Sequence, residues 1–222
     1  MNDYFENYCK IKEEIALLSP HNVQIVIATK GQNAETLQKF SQKHIEKFGQ
    51  KPIFGENKVQ EFLTKYGKVD AVWHFIGTLQ TNKVKYIVDK IDCIQSVSSS
   101  KLLCEIQRQA TKASKILKIF LEANIANESN KTGADEEEFY AMLQQIKNCE
   151  NLKFTGLMAM LPVDTPQNNL QFCLQIAAIY DKIKEEYSLC NLSLGMSQDY
   201  VQAILCGSNM VRLGRIVFEG NK

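Results

Sequence analysis

Two periodicities alternate along this chain. Tyr4, Tyr8, Ile11, Ile15 and Leu18 recur at the spacing of one helical face. From Val23 to Thr29 the pattern becomes a near-continuous apolar run rich in β-branched residues, which predicts a buried strand, and Ala34–Phe48 returns to helical spacing. The exchange continues to the C-terminus. Short strands are predicted at Pro52–Phe54, Val72–Ile76, Cys93–Val97, Ile116–Ala123, Leu152–Met160, Asn191–Gly195 and Met210–Phe218. Between them fall helices at Lys58–Tyr66, Thr81–Lys90, Ser99–Ala113, Asp135–Asn148, Gln167–Tyr187 and Gln198–Leu205. Apolar strands that alternate with helices imply a parallel sheet buried on both faces. Eight such units in a chain of 222 residues predict an α/β fold, a single closed (β/α)₈ TIM-type barrel spanning residues 1–222. A doubly wound open sheet is the runner-up.

Composition narrows the function rather than the fold. The net charge of +1 gives no reason to expect a nucleic-acid or membrane-surface partner. No apolar run approaches the ~20 residues of a bilayer span. The charged, amphipathic N-terminus does not resemble a signal peptide. The seven cysteines stand singly, without a CxxC, as reduced thiols would in a cytoplasmic protein.

In a barrel of this kind the residues that close each strand face the site. Here they are Lys30; Gly55, Glu56 and Asn57; His74 and Gly77; Ser96 and Ser98; Asn124; Met158 and Met160; Ser197; and Arg212 with Gly214. Lys30, at the end of IVIATK, is either a solvated lysine or an amine in the barrel mouth. In the second case partial burial lowers its pKa and makes it a Schiff-base nucleophile. Met196-Ser197 opens a predicted helix with Gln198 and Asp199 in its first turn. Backbone N–H groups there, with Gly214 after the next strand, predict a phosphate cradle at strands seven and eight. Either residue alone is an ordinary cap or a flexible glycine. Arg212 shares a face with Gly214, and a buried guanidinium requires a partner. His74 reads more readily as a satisfied core histidine than as a catalyst, Asn57 as a ligand contact or a helix cap, and the Met158/Met160 pair as barrel lining. No Walker loop, GxGxxG, HExxH or GxSxG occurs. Lysine and phosphate cradle together suggest a phosphorylated carbonyl cofactor held at both ends.

The segments IVIATK, FGENKVQE, WHFIGTLQTNKVK, IQSV, NESNKTG, LKFTGLMAM and LSLGMSQDYVQAILCGSNMVRLG follow one another in order. Together they resemble the pyridoxal phosphate homeostasis proteins, a family similar to the N-terminal barrel of alanine racemase. The resemblance implies a fold-type III barrel with pyridoxal 5′-phosphate (PLP) held as an aldimine on Lys30. Ser197, Gly214 and the backbone of Arg215 would hold the phosphate, Arg212 would face the pyridine nitrogen, and Asn57 would lie near the ring. Two departures stand out. Gly31-Gln32 follows Lys30 where the family often carries a second lysine, and Arg215 replaces the usual Ser or Thr. The hydroxyl contact to phosphate is then lost, and the Arg215 side chain either replaces it or points away.

The function expected from this resemblance is intracellular PLP homeostasis without robust catalysis, with PLP-dependent apo-enzymes as clients. The alternatives are a PLP-dependent racemase or decarboxylase, and a cofactor-free Schiff-base aldolase. With the sequence reaching only Lys222, the β domain that carries a racemase's catalytic tyrosine is expected to be missing, which argues against two-base racemisation. A monomeric, cytoplasmic, non-enzymatic protein is the expectation.

Overall fold

The computed structural model describes residues 4–124, 133–161 and 166–219. Its strands are β1 (Gln24–Ala28), β2 (Ile53–Glu56), β3 (Val72–Phe75), β4 (Cys93–Val97), β5 (Leu117–Glu122), β6 (Leu152–Met158), β7 (Asn191–Met196) and β8 (Met210–Leu213). All neighbours are parallel, and β8 returns to β1 with Arg212 opposite Val26, so the sheet is a closed barrel in sequence order. Helices α1 (Tyr4–Leu18), α2 (Ala34–Phe48), α3 (Val59–Lys65), α4 (Ser100–Lys112), α5 (Glu136–Ile146), α6 (Pro166–Tyr187), α7 (Tyr200–Leu205) and α8 (Arg215–Phe218) surround it.

Local chemistry sets the helix starts. Asn33, Ser99 and Asp135 adopt extended backbone and accept from the N–H of Thr36, Leu102 and Glu138, the capping bond that relieves an orphan donor. The apolar faces of these helices and of α3 then close over the outside of the barrel, where Leu37, Phe62, Leu103 and Phe139 are fully buried. Inside the barrel a second, smaller cluster of Val26, Ile76, Cys93, Phe120, Met158 and Met210 fills the lumen, with Met160 packed against it. The barrel is therefore a core and not a channel.

Three elements differ from the sequence expectation. The run Arg215–Phe218 is helix rather than a continuation of β8, because the chain turns at Gly214 and buries Val217 and Phe218 beside α1. The Tyr4 and Phe218 rings meet edge-on with centroids 5.4 Å apart. The Thr81–Lys90 segment forms only a 3₁₀ helix, Thr81–Tyr86. Helix α7 begins at Tyr200 rather than at Met196-Ser197, since β7 runs on through Met196. Most of the NESNKTG segment lies outside the described residues. No described helix is long and apolar enough to cross a membrane.

Candidate functional site

Strand ends on the C-terminal side of the barrel converge on one cavity of about 580 Å³. Lys30 follows β1, Asn57 follows β2, Ser197 follows β7, Arg212 lies in β8, and Gly214 and Arg215 follow it; all line this space. Residues far apart in sequence meet because every parallel strand points the same way. Lys30 is exposed at the mouth. Of the two sequence readings of Lys30, the partial burial that went with the amine in the barrel mouth is thus absent.

Behind Lys30 and Asn57 lies a network that sequence reasoning missed. Glu56 is fully buried and Lys65 nearly so, with Lys65 Nζ 2.5 Å from Glu56 Oε2. Lys65 Nζ also donates to the Thr29 carbonyl at 2.9 Å, and Thr29 Oγ1 donates to Glu56 Oε2 at 2.9 Å. The other carboxylate oxygen accepts from the Asn57 N–H at 2.8 Å. One buried ion pair therefore grips the backbone beside both Lys30 and Asn57. Close approach adds a second constraint, because a Cβ at Gly77 would stand 2.7 Å from Asn57 Cα. Ser96 donates to the Gly77 carbonyl at 2.6 Å, so Ser96 and Gly77 act as supports for the Asn57 loop rather than as cavity residues.

On the opposite wall, Gly195 adopts φ 93°, in the left-handed region that favours glycine, and a Cβ there would meet Tyr200 Cα at 2.9 Å. This lets β7 fold directly into the turn that carries Ser197. Asp199 holds that turn by accepting from the Met196 N–H at 2.5 Å. Gly214 donates its N–H toward Ser197 Oγ at 3.4 Å, so the two expected cradle residues meet.

Arg212 is almost completely buried. Its Nη1 donates to both the carbonyl and the hydroxyl of Ser193 at 2.8 Å, and its Nη2 donates to the Ala159 carbonyl at 2.9 Å. Burial lowers the guanidinium to about 10 against the opposing pull of Glu122 and Asp199, so it stays a cation at neutral pH. His74 stays out of the cavity lining. It sits in the barrel interior, 2.8 Å through Nδ1 from the Gln95 amide, and burial, helped by the Lys118 charge, pushes its imidazole down to about 3. It is a neutral core histidine, and Met158 lines the interior as expected.

A closed parallel barrel with a lysine after β1, an arginine in β8 and a serine–glycine pair at the ends of β7 and β8 defines the class. The alanine racemase N-terminal domain family matches residues 52–222. More narrowly, this chain belongs to the pyridoxal phosphate homeostasis protein family. It is 36% identical over 176 residues to the pyridoxal phosphate homeostasis protein of Aquifex aeolicus, covering 77% of each chain. It is 32% identical over 214 residues to that of Helicobacter pylori, covering 94% of this chain and 92% of the other. Among solved structures, PipY of Synechococcus elongatus with PLP bound superposes with a TM-score of 0.84 at 25% identity, covering 97% of this chain and all of PipY.

Proposed function

We propose that this chain is a single PLP-binding domain acting in cytoplasmic PLP homeostasis, with Lys30 as the covalent anchor and no robust catalysis of its own. The observation that carries the reading is the donor set of the cavity. A lysine amine stands at one end, and a serine hydroxyl and the Gly214 N–H stand at the other, with a buried arginine beside them. Donors of this kind suit a phosphate dianion, an aldehyde and a ring nitrogen that can only accept. When bound, the cofactor supplies an aldehyde that condenses with an amine and a ring that can spread negative charge.

Each residue then has a defined task. Lys30 presents its amine to the aldehyde. Ser197, Gly214 and the backbone of Arg215 hold the phosphate, with the Arg215 side chain in reach of the same end of the cavity. Asn57 would lie near the ring, and Arg212 would donate to its nitrogen. A guanidinium can only donate, so at that place it would keep the pyridine unprotonated and the ring a weak electron sink. Among the described residues that line the cavity there is no tyrosine or histidine; its carboxylates are Asp199, which already accepts from the Met196 N–H, and Glu219. Both features favour holding the cofactor over turning over amino acids, with PLP-dependent apo-enzymes as the clients of a monomeric carrier. All seven cysteines are free thiols, in keeping with a reducing compartment.

The test is borohydride reduction of the PLP-loaded protein followed by peptide mapping. The expected result is a phosphopyridoxyl group on Lys30; a protein that stays colourless when PLP is added overturns the reading. Arg212→Gln is expected to weaken PLP retention roughly 10- to 100-fold, the loss of a buried charged hydrogen bond of about 1.5–3 kcal/mol, and to shift the visible band. Unchanged affinity and spectrum would remove Arg212 from the ring nitrogen.

A further inference from the structure

The hydrogen bonds of Arg212 continue away from the cavity as a directed chain across the barrel lumen. Nη1 of Arg212 donates to Ser193 Oγ at 2.8 Å, and Ser193 Oγ donates to Gln95 Oε1 at 2.8 Å. The Gln95 amide nitrogen contacts His74 Nδ1 at 2.8 Å and Met210 Sδ at 3.2 Å. All these polar groups are buried, with Gln95 and Ser193 both at 0% exposure. Both ends fix the direction of the chain. A guanidinium only donates and a thioether only accepts, so the NH₂ of Gln95 faces Met210 and His74 while its oxygen faces Ser193. His74 must then accept at Nδ1 and carry its proton on Nε2.

We infer that Gln95 and Ser193 are positioning residues for Arg212, holding its guanidinium at the cavity wall through a one-way hydrogen-bond chain that ends on neutral His74. This deepens the PLP reading and rests on it. Without the chain, Arg212 keeps its carbonyl partners on Ser193, in β7, and on Ala159, just past the end of β6, and these fix its depth. The hydroxyl fixes rotation about the guanidinium axis, and rotation decides whether the remaining N–H bonds aim at a ring nitrogen. Buried networks of this kind impose a single geometry only when every member is satisfied.

The experiment compares Gln95→Met, Ser193→Ala and Arg212→Gln with the parent chain, each loaded with PLP. Gln95→Met keeps the side-chain volume but cannot take the Ser193 proton. We expect cofactor affinity to fall up to about tenfold, in line with the loss of one buried hydrogen bond between neutral groups. The visible band should move in the direction seen for Arg212→Gln. A purely structural role would lower the melting temperature and leave the band of the bound cofactor where it was, and that result overturns the proposal. Should Gln95→Met fail to fold, Ser193→Ala, which removes only a hydroxyl, gives the same readout. Nitrogen-15 NMR of the cofactor-free protein tests the chain independently of PLP: His74 should be protonated at Nε2 and bare at Nδ1. A protonated Nδ1 refutes the chain even where PLP binds. A parent protein that does not take up PLP, with His74 protonated as expected, refutes the cofactor reading and with it the role of the chain.

Discussion

Lys30→Ala should abolish the visible band of the bound cofactor and leave no borohydride-fixed adduct, while the melting temperature stays close to that of the parent. The two halves of this expectation have separate causes. Lys30 is exposed and lies beyond the end of β1, so its truncation removes no packing. Substitutions at such positions change stability by about 0.5 kcal/mol or less. The anchor, in contrast, has no substitute at hand. Gly31 and Gln32 follow it, and neither carries an amine. The buried amine of Lys65 is already committed to Glu56 at 2.5 Å and to the Thr29 carbonyl at 2.9 Å. Ser197, Gly214 and Arg212 remain in the variant, so weaker, non-covalent PLP binding should persist by equilibrium dialysis. Peptide mapping that finds the reduced adduct on another lysine in the parent protein would overturn the assignment, whatever the affinity of the variant.

How far the sequence foretold this architecture depends on what kind of signal each part leaves. Strand number and order were readable because parallel strands buried on both faces are apolar throughout, and the barrel follows from their alternation with helices. The cavity residues were readable for a related reason: once the barrel is assumed, the residue after each strand is on the active face. That argument found Lys30, Asn57, Ser197, Arg212 and Gly214, which do line one cavity. The C-terminal element failed because Ile216, Val217 and Phe218 are apolar in strand or helix alike, and a run so short has no measurable period. Charge misled in a different way. Lys65 sits in a helix among Glu61, Thr64 and Tyr66, where a lysine ordinarily points to water, so nothing in the local pattern marks it as buried. Gln95 did leave a signal. A glutamine inside the apolar strand CIQSV is buried whichever face it takes, and such a residue needs partners. The serines beside it drew the attention instead.

Lys65→Met should be strongly destabilising although it removes no residue of the apolar core. Glu56 has 0% exposure, and among the described residues its ion-pair partner is Lys65, 2.5 Å away. Removing one member of a buried pair leaves an uncompensated charge and costs about 3–5 kcal/mol. For a chain of this size each kcal/mol moves the midpoint by about 2–4 °C, so thermal unfolding should begin roughly 6–20 °C earlier. The cost should reach the site as well, since Glu56 also holds Thr29 Oγ1 and the Asn57 N–H, the groups next to Lys30 and in the Asn57 loop. PLP affinity in Lys65→Met should therefore fall although Lys65 itself does not line the cavity. The double variant Glu56→Gln/Lys65→Met separates the two effects. It removes the unpaired charge and keeps an amide oxygen for the Asn57 N–H, so most of the stability should return. If the double variant is as unstable as Lys65→Met, the damage comes from lost packing around the lysine stem rather than from a stranded carboxylate. If stability returns but affinity does not, the intact ion pair is what sets the geometry of the Lys30 and Asn57 backbone.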